Sequence, residues 1–305
     1  MADDTMTIRY VDAAELSNEK WQRLTGPTSL YADPAFLTAM AGKWAAFVYK
    51  DYEAVLPVFP RTKFGIAYLY QPAFIQKTAI HSLAPVDTSL IHLFLSACRK
   101  RFRFAEFYLA NNPAGNNFYK KERNNYLVNL QPAYAGIESQ YKTDLQKNRK
   151  IASQYAFEYR PADHPDSVLS LYQQTYGKSL SYSNQDYRRL LHYCTSEIGK
   201  PQLVIREVRL ANEVQAACLC LKDSDRLYLL ANITVPHARK KAANHFLLDQ
   251  LIREFAGRLR WLDMEGSDHP GIAHFYQNFG AVNEPYYFVA WNDLPFPLRW
   301  LKPRY

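Results

Sequence analysis

Ile233-Thr-Val-Pro-His-Ala-Arg-Lys-Lys-Ala-Ala-Asn-His-Phe-Leu-Leu-Asp249 is the stretch from which the fold is read. It closes the apolar run Arg226–Ile233, which reads as a strand. From about Arg239 to Gly257 the period changes, and Leu247, Leu248, Leu251, Ile252 and Phe255 fall on one face of a long helix. A strand that passes through a short loop into a helix beginning between Arg239 and Ala242 presents unpaired backbone N–H groups beside the positive end of the helix dipole. That geometry binds phosphate. Arg239, Lys240 and Lys241 add charge at the same place. A solvated basic helix start would carry the same residues, so charge alone does not separate the two readings.

Outward from this stretch, the pattern occurs twice. In the first half, helical segments up to residue 42 lead to strand-like runs Ala45–Tyr49, Ala54–Pro60 and Ile66–Tyr70. An amphipathic helix Thr88–Phe102, capped by Asp87 or Thr88, follows, then strands Ala105–Ala110 and Tyr126–Leu130. In the second half, helices Pro165–Tyr176 and Asn184–Glu197 precede strands Gln202–Val208, Val214–Lys222 and Arg226–Ile233. The long helix, strand Trp261–Met264, a short helix Gly271–Asn278 and strand Tyr286–Trp291 complete it. The expectation is an α/β (α+β) chain of two units, 1–135 and 136–305, with mixed, mostly antiparallel sheets flanked by helices.

Composition narrows the chemistry. The chain has 305 residues and a net charge of +8, with 48% apolar residues, enough for two cores. Glycine is scarce at 11 residues, and no two are spaced G-x-G, which removes the dinucleotide-binding loop. Gly266 to Gly271 has P-loop spacing, but Ile272 and Ala273 follow where Lys and Ser/Thr are needed. G-x-S-x-G and H-E-x-x-H are absent. Cys98, Cys194, Cys218 and Cys220 form no C-x-x-C pair, so buried thiols in a reducing compartment are expected and a metal is not. The start, MADDTMTIRY, has no apolar stretch and reads as no leader peptide, and no segment approaches the length of a membrane span. A cytoplasmic protein is expected. The basic excess suits a negatively charged ligand.

Two further segments carry candidate chemistry. In Trp261-Leu-Asp-Met-Glu-Gly-Ser267, alternation puts Asp263 and Glu265 on one side of a strand end, where paired carboxylates could serve a general base or only accept hydrogen bonds from a loop. Tyr276 lies on the following helix, and a phenol is protonated at neutral pH and able to donate. A packing role fits it equally.

The register Arg239-Lys-Lys-Ala242-Ala-Asn244, with Leu247-Leu248 after it, resembles the R/Q-x-x-G-x-G/A segment of the GNAT acyltransferase family. Ala242 and Asn244 stand in the glycine positions. Phe275-Tyr276-Gln-Asn-Phe279-Gly280-Ala281 is similar to that family's L-Y-x-x-x-G-F. The resemblance implies an N-acyltransferase using acyl-CoA, most simply acetyl-CoA, and an amine acceptor. It places the pyrophosphate on Arg239, Lys240, Lys241, Ala242, Ala243 and Asn244, and the pantetheine arm along Ala231–Val235. Tyr276 would protonate the leaving thiolate, and Glu265 or Asp263 would take the amine proton.

Asp263-x-Glu265-Gly-Ser267 with Phe275, Phe279, Gly280 and Ala281 also resembles the Fem-type tandem-GNAT proteins, as do Asp33-Pro-Ala-Phe36, Tyr70-Gln-Pro-Ala-Phe74 and the basic segment Lys142–Ala152. This likeness implies a second possibility, an aminoacyl-tRNA-dependent transferase acting on a cell-wall precursor, with tRNA in place of coenzyme A. The first unit would bind no cofactor. Tyr70, Gln71, Arg123, Arg149 and Ser267 are the candidate acceptor contacts, and a cleft between the units, nearest the second, is the expected site. A third possibility is a binding protein that keeps the scaffold without the chemistry.

Overall fold

The computed structural model describes residues 8–26, 29–115 and 118–302. The expectation about a leader peptide rests largely on residues 1–7, which lie outside them. The chain forms two compact units, Met1–Arg123 with Pro285–Tyr305, and Asn124–Glu284.

The first unit runs β1 (Ile8–Asp12), α1 (Asn18–Thr25), α2 (Pro34–Ala41), β2 (Ala45–Tyr49), β3 (Ala54–Val58), β4 (Pro60–Lys63), β5 (Ile66–Leu69), β6 (His81–Ser82), α3 (Thr88–Arg101), β7 (Phe104–Leu109) and β8 (Tyr119–Arg123). The second continues with β9 (Tyr126–Asn129), α4 (Tyr134–Glu138), α5 (Thr143–Ala152), β10 (Glu158–Pro161), α6 (Pro165–Tyr176), α7 (Asn184–Thr195), β11 (Leu203–Leu210), β12 (Glu213–Lys222), β13 (Arg226–Thr234), α8 (Ala243–Phe255), β14 (Trp261–Asp263), α9 (Pro270–Gln277) and β15 (Val282–Asn283). The chain then returns to the first unit as β16 (Tyr286–Asn292).

Local chemistry explains where these elements start. Asp33 accepts from the N–H groups of Ala35 and Phe36 at 2.8 and 2.9 Å, so Asp33-Pro-Ala-Phe36 is the cap of α2, with Pro34 in the first turn. Asp87 caps α3 through the Leu90 N–H at 2.8 Å, and Ile91, Phe94, Leu95 and Cys98 are buried on one face. Ser183 and Asp186 form a capping box on α7.

The sheets of the first unit have orders β1-β2-β3-β6 and β4-β5-β7-β16-β8. The second unit holds one sheet, β10-β11-β12-β13-β14-β9-β15, antiparallel except between β13 and β14. Helix α8 packs on β11, β12 and β13 and inserts Leu247, Leu248, Leu251 and Ile252 into a core that also holds Cys218 and Cys220. Each of those aliphatic side chains contributes roughly 2 kcal/mol by burial. Helix α6 packs on β12 and β13, and α7 on α6.

These units differ from a division at residue 135. Tyr126–Leu130 reads as the last strand of the first half, yet β9 pairs with β14 and β15 of the second unit. Tyr286–Trp291 reads as the close of the second half, yet β16 pairs with β7 and β8 of the first. A strand's own alternation says which face is apolar and nothing about its partner, so the exchange leaves no local trace.

Candidate active site

The second unit's sheet is split along β13. On one side β13 pairs with β12 from Leu227 to Thr234, and the Val235 N–H continues the ladder to the Gln215 carbonyl at 3.0 Å. On the other side β13 meets β14 only at Arg226–Tyr228. A bulge sets Leu229 and Leu230 opposite the single residue Cys220. With Val235 turned to β12, antiparallel alternation turns the backbone groups of Thr234 and Asn232 to the open side. β14 stops because the chain turns away: Glu265 and Gly266 have φ of 60° and 70°. A glutamate in the left-handed region is strained, and such strain gathers at functional sites.

At the upper end of β13 a short 3-10 helix, Pro236–Lys241, leads to Ala242 at φ 57°, ψ 30°. The α-helix therefore starts at Ala243, later than the spacing predicts, and no side chain caps it. Helix geometry leaves the N–H groups of Ala243, Asn244 and His245 without intrahelical acceptors. Arg239 and Lys240 are exposed at the same turn, and the Lys241 ammonium lies 5.6 Å from the Tyr155 ring. The left-handed backbone explains why glycine suits this position: alanine there is strained by about 1 kcal/mol. Asn244 carries a buried Oδ1 with no hydrogen-bond partner.

Tyr276 is buried on α9. Phe275 and Phe279, 5.3 Å apart, pack the same helix against His245 of α8, whose ring lies 4.8 Å from Phe275. Gly280 ends this segment at φ 75°, where a Cβ would meet Gln140 Cβ at 3.1 Å. Burial pushes the Tyr276 phenol above its usual range, the nearby Glu265 carboxylate adds to this, and a hydrogen bond with the Asn232 side chain opposes it. Asn232 Oδ1 is itself buried without a partner. The Tyr126 ring stands 6.2 Å from that of Tyr276. Tyr176 and Tyr172 of α6 also lie within electrostatic reach of the phenol.

The strand ends between the two carboxylates, so the alternation that sets them on one side does not extend to Glu265. Asp263 is 0% exposed. One of its oxygens takes the Glu265 N–H at 3.0 Å and the other the Arg226 guanidinium at 2.9 Å. Arg226 also holds Glu284 at 3.1 Å through two nitrogens. Asp263 thus fixes the turn that carries Glu265, and Glu265 is the half-buried acid near the phenol.

The candidate acceptor contacts are differently placed. Arg149 is held in a network with Asp249 at 3.2 Å and with Glu138, and the Tyr134 hydroxyl donates to Asp249 at 2.6 Å, which ties α4 and α5 to α8. Ser267 Oγ accepts from the His269 N–H at 3.0 Å and shapes the entry to α9. Tyr70, Gln71 and Arg123 belong to the first unit. Gln71 is spent within it, accepting from the Tyr108 N–H at 3.0 Å and donating to the Ile75 carbonyl. The Tyr70 ring lies under the Arg61 guanidinium at 3.6 Å. Asn232 and Arg226 escaped the sequence reading, although Asn232 is the one polar residue between Tyr228 and Ile233.

Among the described residues no group of three or more His, Cys, Asp or Glu could hold a metal ion, and no helix is long and apolar enough to cross a membrane. No curated protein matches the chain at a significant level. Solved structures do. A conserved protein of unknown function from Bacteroides thetaiotaomicron superposes with a TM-score of 0.58 at 10% identity, over 93% of this chain and 99% of that one. FemX gives 0.55 at 10% identity, over 85% and 89%. L-PGS from Bacillus licheniformis gives 0.52 at 12% identity, over 93% and 95%. At such identities the likeness is one of fold. The family model described as acetyltransferase (GNAT) domain matches residues 139–275, ending one residue before Tyr276.

Proposed function

We propose that the second unit, whose residues 139–275 match the acetyltransferase (GNAT) domain model, transfers an acyl group from acyl-CoA to an amine, and that the first unit takes no part in holding the donor. The observation that carries this reading is the split beside β13. An open strand edge at Asn232 and Thr234 runs from the uncapped start of α8 to the buried Tyr276 phenol. The first-turn N–H groups of α8, with Arg239 and Lys240, suit a pyrophosphate. The backbone groups of Asn232 and Thr234 that turn away from β12 suit the amides of a pantetheine arm.

The donor supplies an activated thioester. Glu265 takes the proton from the attacking amine, directly or through a water. Tyr276, kept protonated by its burial, gives its proton to the departing sulfur. Asn232 and the Asp263–Arg226 pair set the positions of these two groups. Alignment of amine and thioester in the split contributes further.

Thermal unfolding with and without acetyl-CoA tests donor binding. A ligand at a hundred times its Kd stabilises by about 2.7 kcal/mol, and Arg239→Ala with Lys240→Ala should remove most of that shift. Release of free CoA thiol in the presence of amine acceptors tests the chemistry: Tyr276→Phe and Glu265→Gln should each lower kcat by roughly 10²–10⁴ and leave donor binding intact. No stabilisation by acetyl-CoA, or unchanged turnover in both variants, defeats the proposal. A shift with aminoacyl-tRNA alone would transfer the same site to another donor.

A further inference from the structure

The first unit displays exposed aromatic rings and cations at one end of a sheet. β4 and β5 form a hairpin closed by Phe64 and Gly65, whose φ values are 52° and 73°. Tight turns of this kind favour Asn-Gly. Here a phenylalanine occupies the strained first position, and its side chain is 87% exposed. Beyond β16, Phe296 and Trp300 are 75% and 67% exposed, with ring centroids 5.4 Å apart.

The hairpin and the segment that follows β16 project from the same end of one sheet. β5 lies parallel to β7 with Leu69 opposite Ala105, and Ala105 is opposite Trp291 of the antiparallel β16. The start of β5 and the end of β16 therefore extend past the same edge. Phe104 links them: its ring is 6.3 Å from that of Tyr68 and 5.0 Å from the Lys302 ammonium. Arg61, Lys63, Arg299 and Lys302 are all exposed on these segments, with Lys63 over the Phe64 ring at 5.5 Å and Arg61 over that of Tyr70 at 3.6 Å. Asp293, at the same end, is held by Arg99 at 2.6 and 2.8 Å.

We infer that this edge docks on the surface of an anionic lipid bilayer, with Phe64, Phe296 and Trp300 entering the headgroup region and the four cations meeting lipid phosphates. Exposed apolar rings need a partner that removes them from water. Aromatic rings ringed by Lys and Arg are the composition that lies at a membrane interface. The charge of the patch selects an anionic partner, and rings displayed on a hairpin tip and on the short segment after β16 are shaped to wedge between headgroups. Nothing in this inference depends on the acyl-transfer reading.

The test is co-sedimentation of the full chain with vesicles of phosphatidylcholine, with and without phosphatidylglycerol, followed also by Trp fluorescence. Trp21, Trp44 and Trp291 are buried and Trp261 is half-buried in β14, so a blue shift that is lost in Trp300→Ser reports Trp300. Binding should require the anionic lipid and weaken with salt. Lys63→Gln and Lys302→Gln should each lower the partition coefficient about fivefold. Phe64→Ser and Trp300→Ser should lower it further and leave the Tm unchanged. Equal binding to both vesicle types, no binding, or variants that bind like the parent overturn the inference. So does a patch whose substitutions abolish self-association or nucleic-acid binding in place of vesicle binding.

Discussion

Replacing Asp263 separates a structural carboxylate from a catalytic one. Its side chain is wholly buried, with one oxygen on the Glu265 N–H and the other on Arg226. In Asp263→Asn the oxygen can keep the Glu265 N–H, and the new amide nitrogen then faces the guanidinium, donor against donor. Breaking a buried ion pair from one side destabilises by about 3–5 kcal/mol. Arg226 retains Glu284, whose side chain is 37% exposed, so the lower figure of about 3 kcal/mol is expected. For a domain of this size each kcal/mol lowers Tm by roughly 2–4 °C, so the loss should be about 6–12 °C by circular dichroism. Arg226→Met should be worse, because it strands two carboxylates. The double variant should recover part of the loss, since removal of both partners leaves no buried charge between them. In the CoA-release assay, Asp263→Asn should weaken turnover through the displaced Glu265, less than Glu265→Gln does. A soluble Asp263→Asn protein with an unchanged Tm and abolished turnover would refute this reasoning and return Asp263 to the role of base.

Other substitutions probe the frame of the site. Ala242→Gly relieves a left-handed alanine and should leave Tm within a few degrees of the parent, whereas Ala242→Val should lose about 2 kcal/mol or more in urea unfolding. Arg149→Met leaves the buried Asp249 with Tyr134 alone and should lower stability by about 3 kcal/mol while the KM for acetyl-CoA stays constant. Burial holds His81 and His245 down to about 4, against roughly 6.5 in an unfolded chain. Between those values the unfolded chain binds more protons, so stability falls as pH drops from 6.5 toward 4, by about 2 kcal/mol per histidine near pH 5. His245→Gln should remove about half of that slope in denaturant titrations across the range.

Sequence alone gave up the elements well. α6 runs from Pro165 to Tyr176 and β2 from Ala45 to Tyr49, as their spacing predicts, because both are governed by residues a few positions apart. The Asp87 cap was equally local. The later start of α8 was not, since Ala242 adopts a backbone that nothing in its side chain announces. The candidate site was legible as local placement, with Arg239–Asn244 at the turn into α8 and Tyr276 on α9. It was obscure where long-range pairing decides. Arg149 reads as an acceptor contact on a basic segment, and its partner Asp249 lies a hundred residues away. Alternation set Asp263 beside Glu265, and two successive left-handed residues undid it.

The exchange of β9 and β16 has a practical consequence for protein engineering. Arg123, the last residue of β8, sits directly opposite Tyr286, the first of β16, in an antiparallel pair. At the other side of the junction the Glu284 N–H bonds to the Asn125 carbonyl at 2.8 Å. Residues 124–284 are therefore a cassette spliced into the tip of what would otherwise be an ordinary hairpin, and the cassette's own ends touch. It is one continuous polypeptide, and a two-residue Asn-Gly turn in place of residues 124–285 joins Arg123 to Tyr286 in the host. No single cut of the chain could part the two.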